Sequence, residues 1–169
     1  MAMELTWQEH QALNSATSSL VSQGIPLVTS AGNSNVDACA NSPSSENSAI
    51  TVGSIDVTDA ESNFSNYGKC VNLYAPGRSI KSTWIGSPDA TNTMSGTSMS
   101  SPHVAGVAAT IMSMYIKEFA QYQVKHMLLA PATKNKLSNL GPDSPNILFY
   151  NSPLRNYKIN ALHFIFTLA

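Results

Sequence analysis

The string Gly96-Thr97-Ser98-Met99-Ser100-Ser101-Pro102-His103-Val104-Ala105-Gly106 sets a serine at the entry to a helix. Gly96 permits a close backbone approach where a side chain would clash. Pro102 suits a first helical turn, where its missing N–H costs nothing. The run Val104-Ala105-Gly106-Val107-Ala108-Ala109 then continues as a helix so small-sided that burial is expected. A serine hydroxyl there lies at the positive end of the helix dipole, among backbone N–H groups without helical partners. Those conditions suit a nucleophile beside which an oxyanion forms during acyl transfer. For a lone serine before a helix, simple N-capping is the competing reading.

The whole string says more than its serine. Gly-Thr-Ser-Met-x-x-Pro-His-Val-Ala-Gly resembles the nucleophile motif of the subtilisin-like serine proteases. The resemblance implies that Ser98 is the nucleophile and that its own backbone N–H is one oxyanion donor. Upstream, Ile25-Pro26-Leu27-Val28-Thr29-Ser30-Ala31-Gly32-Asn33 reads as a buried strand ending in Ala-Gly-Asn. Taken alone, Gly32-Asn33 is a turn signal. By the resemblance, Asn33 is the side-chain donor of the oxyanion hole. A neutral amide suits that role, because it can face developing negative charge without a proton of its own to manage. Ser30, Ala31 and Gly32 would form one wall of the pocket for the substrate side chain before the scissile bond.

Further segments resemble the proteinase K-like branch. They are Asn41-Ser42-Pro43-Ser44-Ser45-Glu46, Ala49-Ile50-Thr51-Val52-Gly53-Ser54-Ile55-Asp56, Phe64-Ser65-Asn66-Tyr67-Gly68, Ala75-Pro76-Gly77, Ser82-Thr83-Trp84-Ile85-Gly86 and Ser144-Pro145-Asn146. Residues 1–151 are thus expected to be a partial peptidase domain, and 152–169 an unmatched tail. The family places Ser-x-Gly ahead of the first helix, as an edge strand for substrate backbone. Here Glu4-Leu5-Thr6 stands at those positions, and Leu5 would keep the apolar pocket contact.

A serine nucleophile needs a base to take its proton and a group to orient that base. In the family an Asp and then a His supply these, ahead of the Ala-Gly-Asn strand, in Asp-Thr-Gly and His-Gly-Thr-His-type segments. Neither segment occurs in these 169 residues. His103 lies five residues past Ser98, roughly 140° around a helix, and is read as packing. His10 falls on a polar stretch of the first helix, His126 in a separate C-terminal helix and His163 in the tail. The expectation is the C-terminal half of a protease domain, with nucleophile and oxyanion hole but without two triad members. Such a chain would be inactive alone. Its partners would be protein or peptide substrates and the missing N-terminal half of the same domain. The alternative is a non-catalytic fragment or interaction protein with the same fold.

The chain is long enough for one domain with a sizeable core. Charged residues make up 11 % and the formal net charge is −1, which points to neither nucleic acid nor an anionic membrane. The start, Met1-Ala2-Met3-Glu4, has no basic region followed by an apolar core, so no signal peptide is read there. The family is largely secreted, and its expected location is extracellular. Cys39 and Cys70 are the two cysteines. By themselves they are compatible with a buried free pair, whereas the resemblance implies a disulfide.

No cofactor is required by the chemistry. Proteinase K-like enzymes bind Ca²⁺ through backbone carbonyls in the loop at Asn47 and Ala49, plus an Asp carboxylate in the strand after the Asn-Tyr-Gly segment. Here the last position is Asn72, whose amide oxygen brings no charge to a calcium site.

These residues must be positioned by an α/β frame. Residues 8–23 read as a helix with Leu13, Ala16, Leu20 and Val21 on one face, closed by Gly24. Residues 25–31 and 49–55 read as buried strands, 70–75 and 80–84 as short ones. Residues 98–117 form the long helix, with Met112, Met114, Tyr115 and Ile116 in its core-facing later part. Residues 121–129 form another amphipathic helix. The alternation implies a parallel sheet flanked by helices. By resemblance this is the incomplete C-terminal half of a subtilisin-like three-layer fold, exposing a broad apolar face. The apolar run Leu162 to Leu168 in the tail is far shorter than the ~20 residues that span a bilayer. A translated intron or shifted frame is expected to account for the tail, a docking segment being the alternative.

Overall fold

The computed structural model describes residues 2–3, 7–114 and 121–151. Leu5 and its neighbours, Tyr115, Ile116 and the tail 152–169 lie outside the described residues.

Two short strands, β1 (Ala2–Met3) and β2 (Trp7–Gln8), precede helix α1 (Gln11–Ser22). The helix starts later than its residue pattern suggests. Trp7 and Gln8 are extended and pair antiparallel with β4 (Asn41–Ser42), and His10 still has extended dihedrals. The buried stripe also differs from expectation. Thr17 and Val21 are buried, Leu13 and Leu20 are half-buried, and Ala16 faces solvent. Positions 13, 17 and 21 succeed one another at helical spacing, so a threonine between two apolar residues goes inward and Ala16 does not. Gly24 ends the helix with φ +90°, and its N–H donates to Val21 O at 3.1 Å. That conformation strains any residue with a Cβ.

The main sheet contains β1, β3 (Val28–Ser30), β5 (Ile50–Ile55), β6 (Leu73–Pro76), β9 (Thr133–Lys134) and β10 (Ile147–Leu148). Its order is β1-β3-β5-β6-β10-β9, parallel throughout except for the β10–β9 pair. Val28 pairs with Ile50, and Val52 with Leu73. The parallel α/β expectation therefore stands. Both central strands are buried on both sides, as such sheets require.

Period-two alternation sends side chains to two cores. On one face Val28, Ile50, Val52, Leu73 and Ala75 meet Val104, Ala108 and Ile111 of α2 (Thr97–Met114) and Val124, Met127 and Leu128 of α3 (Gln121–Leu129). On the other, Ile55 and Tyr74 pack with Ala31, Ala38, Val71 and Leu137. Helix α1 contributes Leu20 and Val21 to a smaller cluster with Leu27 and Ala49.

Helix α2 is not buried all round, contrary to its composition. Val104, Ala108 and Ile111 face the sheet, while Pro102, His103, Gly106, Ala109, Thr110, Met112 and Ser113 are exposed. Small side chains let the helix lie close to the sheet, but among the described residues nothing covers its far side. Met112 therefore faces solvent rather than core, and the exposed face mixes small apolar residues with His103, Thr110 and Ser113. The strand read at 80–84 is β7 (Ile80–Thr83). It pairs with β8 (Thr91–Met94), which the residue pattern did not reveal, in a hairpin that carries exposed Trp84, Ile85 and Met94.

Cys39 and Cys70 form the disulfide that the resemblance implied, with Cα atoms 5.3 Å apart. It ties the short 3₁₀ turn Ala38–Ala40 to the approach of β6. A second tie is polar. The Tyr74 hydroxyl donates to Glu61 Oε1 at 2.9 Å and lies 2.9 Å from Ser144 Oγ, which accepts the N–H of Gly68 at 2.9 Å. The Gly141 N–H donates to the other Glu61 oxygen.

Two predictions follow from these ties. The disulfide closes a 31-residue separation, so replacing both cysteines with serine should lower unfolding free energy by roughly 3–4 kcal/mol in urea melts. Burial raises the Glu61 carboxyl above its ordinary range, opposed by the Gly141 and Tyr74 hydrogen bonds. The folded chain thus keeps this proton at pH values where the unfolded chain has lost it. Its stabilising effect is full below the ordinary value of 4.5 and disappears as pH rises through the raised folded value. Glu61→Gln should therefore gain stability relative to the parent as pH rises above the ordinary value of 4.5, measured by paired urea melts.

Candidate active site

Strand β3 runs into the turn that carries Asn33, and β6 leads through Gly77 toward the hairpin and then α2. The two meet where α2 begins. The Gly96 N–H donates to Gly77 O at 2.8 Å, and the Gly77 N–H to Ile55 O at 3.0 Å. A Cβ on Gly77 would lie 2.1 Å from Ser100 Oγ and 2.4 Å from Ser54 Oγ, so only glycine lets the chain pass there. Ser100 itself donates to Ala75 O at 3.0 Å, tying the helix's first turn to β6.

Ser98 is half-buried, one residue into α2. Among the described residues neither its hydroxyl nor its N–H has a hydrogen-bond partner. Asn33 is exposed at the end of the β3 turn, and its side chain is fixed from one end. Asn33 Oδ1 accepts the Thr97 N–H at 2.8 Å and the Thr97 hydroxyl at 2.9 Å. That leaves Nδ2 pointing its protons elsewhere. A Cβ built on Gly96 would stand 3.4 Å from Asn33 Nδ2 and 3.7 Å from Ser98 N. Two donors from opposite parts of the chain thus flank one small space, open because residue 96 has no side chain. The helix N-terminus adds its dipole to the same place.

Thr97 carried no assigned role in the sequence reading, yet it organises this space. It is fully buried, and its Oγ1 accepts the Gly32 N–H at 3.1 Å while donating to Asn33. Its hydroxyl therefore joins the strand end to the helix start across 64 residues. Asn66, buried within the Phe-Ser-Asn-Tyr-Gly segment, supports the same turn. Its Oδ1 accepts from Ser34 N at 3.0 Å and Val36 N at 3.2 Å, and its Nδ2 donates to Ala31 O at 2.9 Å. Ser30, Ala31 and Gly32 are buried beside it, and the N–H and C=O of both Ala31 and Gly32 are engaged within the chain.

None of the described histidines is hydrogen-bonded to the Ser98 hydroxyl. His103 is exposed rather than packed, its Nδ1 2.8 Å from Met99 O. His10 precedes α1, with its N–H donating to Ser42 Oγ at 2.8 Å. His126 is exposed on α3. His163 lies outside the described residues. Among the described residues, no side chain is hydrogen-bonded to Ser98.

Of the expected calcium residues, Asn47 and Ala49 turn their carbonyls to a cation of the chain's own. Lys125 Nζ donates to Asn47 O at 2.9 Å and to Ala49 O at 2.7 Å. Asn72 Oδ1 accepts the Thr51 N–H at 2.8 Å. Burial pulls the Lys125 ammonium below the usual lysine range, and the Glu46 carboxylate opposes that pull. These residues do not fit Ca²⁺, which takes six to eight oxygens and gains affinity from carboxylates.

Replacing Thr97 with valine keeps the shape and removes the hydroxyl. The Gly32 N–H and one Asn33 bond then lose their partner in a buried position. Thr97→Val should cost about 1–3 kcal/mol in a urea melt, and Thr97→Ser should recover most of it. Unchanged stability of the valine variant would show that the hydroxyl bridge is dispensable.

Residues 4–147 match the Subtilase family, Peptidase_S8. The chain is 48 % identical over 139 residues to the extracellular serine proteinase of Thermus sp. strain Rt41A, covering 82 % of this chain and 34 % of the relative. It is 42 % identical over 160 residues to cerevisin of Saccharomyces cerevisiae, covering 88 % and 25 % respectively. A cold-adapted subtilisin-like serine proteinase of known structure superposes with a TM-score of 0.84 at 40 % identity, over 89 % of this chain and 54 % of that one. The chain spans about a third or less of the curated relatives named here. On a parallel α/β frame that sets Asn33 beside the start of the helix carrying Ser98, this chain belongs to the Subtilase family of subtilisin-like serine proteases.

Proposed function

We infer that this chain carries the nucleophile and oxyanion hole of a serine endopeptidase site. The observation that carries the reading is the pair of donors, Ser98 N–H and Asn33 Nδ2, near Gly96 and without hydrogen-bond partners among the described residues. In the reaction, Ser98 Oγ attacks a peptide carbonyl and its proton passes to a base. The carbonyl oxygen, now negative, is held by the two donors, and collapse expels the amine and leaves an acyl-enzyme. Asn33 can serve without titrating, since Thr97 fixes its oxygen and so decides which way its N–H points. Ser30, Ala31 and Gly32 offer the substrate side chain a rigid wall, because their polar backbone is largely consumed internally.

The base is the element this site takes from elsewhere. Among the described residues none is hydrogen-bonded to Ser98 to accept its proton, so the chemistry calls for a His–Asp pair supplied by another segment. The chain would accordingly be inactive alone and active when joined to such a segment, acting on protein or peptide substrates. The disulfide suits an oxidising compartment, and the Thermus relative is named extracellular, so a secreted location is the matching one. Among the described residues no helix is long and apolar enough to cross a membrane. The exposed far side of α2 supports the same picture, as a surface ready for more of the domain.

A second reading is a non-catalytic fragment or interaction protein, favoured by the Ser98 hydroxyl having no hydrogen-bond partner among the described residues. The two readings separate by complementation. The chain is mixed with the N-terminal portion of the cerevisin peptidase domain, and hydrolysis of a peptide anilide is followed. The expected outcome is no turnover by the chain alone and turnover in the mixture that Ser98→Ala abolishes. Association of the two pieces without Ser98-dependent turnover would favour the non-catalytic reading.

A further inference from the structure

We propose that the Lys125 ammonium is a built-in cation at the Asn47 and Ala49 carbonyls, fixing this corner of the fold without calcium. Two backbone oxygens converge on one point only when something positive or proton-donating holds them there, since their dipoles repel. Here that group comes from α3, 78 and 76 residues along the chain. The neighbouring groups are consistent with one positive charge and no more. Glu46, half-buried beside the ammonium, spends Oε1 on the Ser48 N–H and hydroxyl at 3.0 Å and 2.9 Å. Asn72 contributes a neutral oxygen already committed to Thr51. Among the described residues no group of three His, Cys, Asp or Glu side chains could hold a metal ion.

The lysine also does something a free ion cannot. Its stem is anchored on a helix whose neighbours Val124, Met127 and Leu128 are buried against Val28 and Ile50. The two hydrogen bonds therefore pin the 43–49 loop to α3 directly. That loop ends in Ala49, which opens β5 and packs on Leu27 at the head of β3. The cation thus steadies the N-terminal ends of the two strands that lead to the site, and it cannot be removed by chelation or dilution.

The test is a thermal melt of the whole chain with calcium at zero and at about 10 mM, beside terbium luminescence as a direct probe of the site. The parent should show no calcium-dependent shift and no saturable terbium signal. Lys125→Met should melt several degrees lower, and calcium should not restore it, because the two carbonyl oxygens are uncharged and Glu46 Oε1 is spent on Ser48. The double change Lys125→Ser with Asn72→Asp should make the melting temperature respond to calcium by about 3 °C or more. A calcium-dependent rise in the parent, with saturable terbium binding at this corner, would overturn the proposal. So would a Lys125→Met chain that melts with the parent. If Lys125→Met does not fold, the parent's titrations decide alone.

Discussion

The structure turns on one buried hydroxyl. Thr97 Oγ1 takes a proton from the Gly32 N–H and gives its own to Asn33 Oδ1, while the Thr97 N–H donates to the same oxygen. A buried polar atom must be satisfied, and here the partners lie at the end of a strand 64 residues upstream. Satisfying them sets the distance between β3 and α2 and decides the rotamer of Asn33. The site is therefore a consequence of a packing requirement. With Asn33 Oδ1 used up, its N–H group is left over, close to the start of α2 where Ser98 lies.

Around that bridge the frame is built for close approach. Gly77 passes where a methyl group would meet two serine hydroxyls, and Gly96 leaves open the space between the donors. The parallel pairing of β3, β5 and β6 brings Asn33 and Gly77 to the same edge of the sheet, the C-terminal one, beside which α2 starts. This is the general location for ligands in open α/β sheets. Helix α2 completes the arrangement, its Val104, Ala108 and Ile111 packing in one core with Val52 and Leu73.

What could be read in the residues was what is local. Ser98 and Asn33 lie in short strings whose neighbours must be small or helix-starting, and the structure brings both together. The central strands are apolar enough to be recognised. Thr97 was part of the recognised string, but its role depends on a partner 64 positions away, which no local pattern shows. Ala16 looked like a core residue by hydrophobicity, while the actual stripe takes Thr17, because helical phase from Leu13 to Val21 outweighs one methyl group's preference. Helix α2 shows the complementary limit. Its composition says that it can be buried, but burial needs a covering surface, and composition does not say where that surface comes from.

Lys125 carries this argument furthest. In its own helix it is an ordinary polar residue between Val124 and His126, and nothing near it marks a cation site. Asn72, by contrast, could be recognised as a position lacking a carboxylate, which left the Asn47 and Ala49 carbonyls without an evident counter-charge. The two departures make sense together. A carboxylate at position 72 would add negative charge to a corner that holds Glu46 and two carbonyl oxygens, enough to bind a divalent ion. A neutral amide leaves a demand for about one positive charge, which an ammonium meets. The cost of half-burying that ammonium is set against direct covalent linkage to α3, so the fold exchanges a dissociable ion for a fixed one.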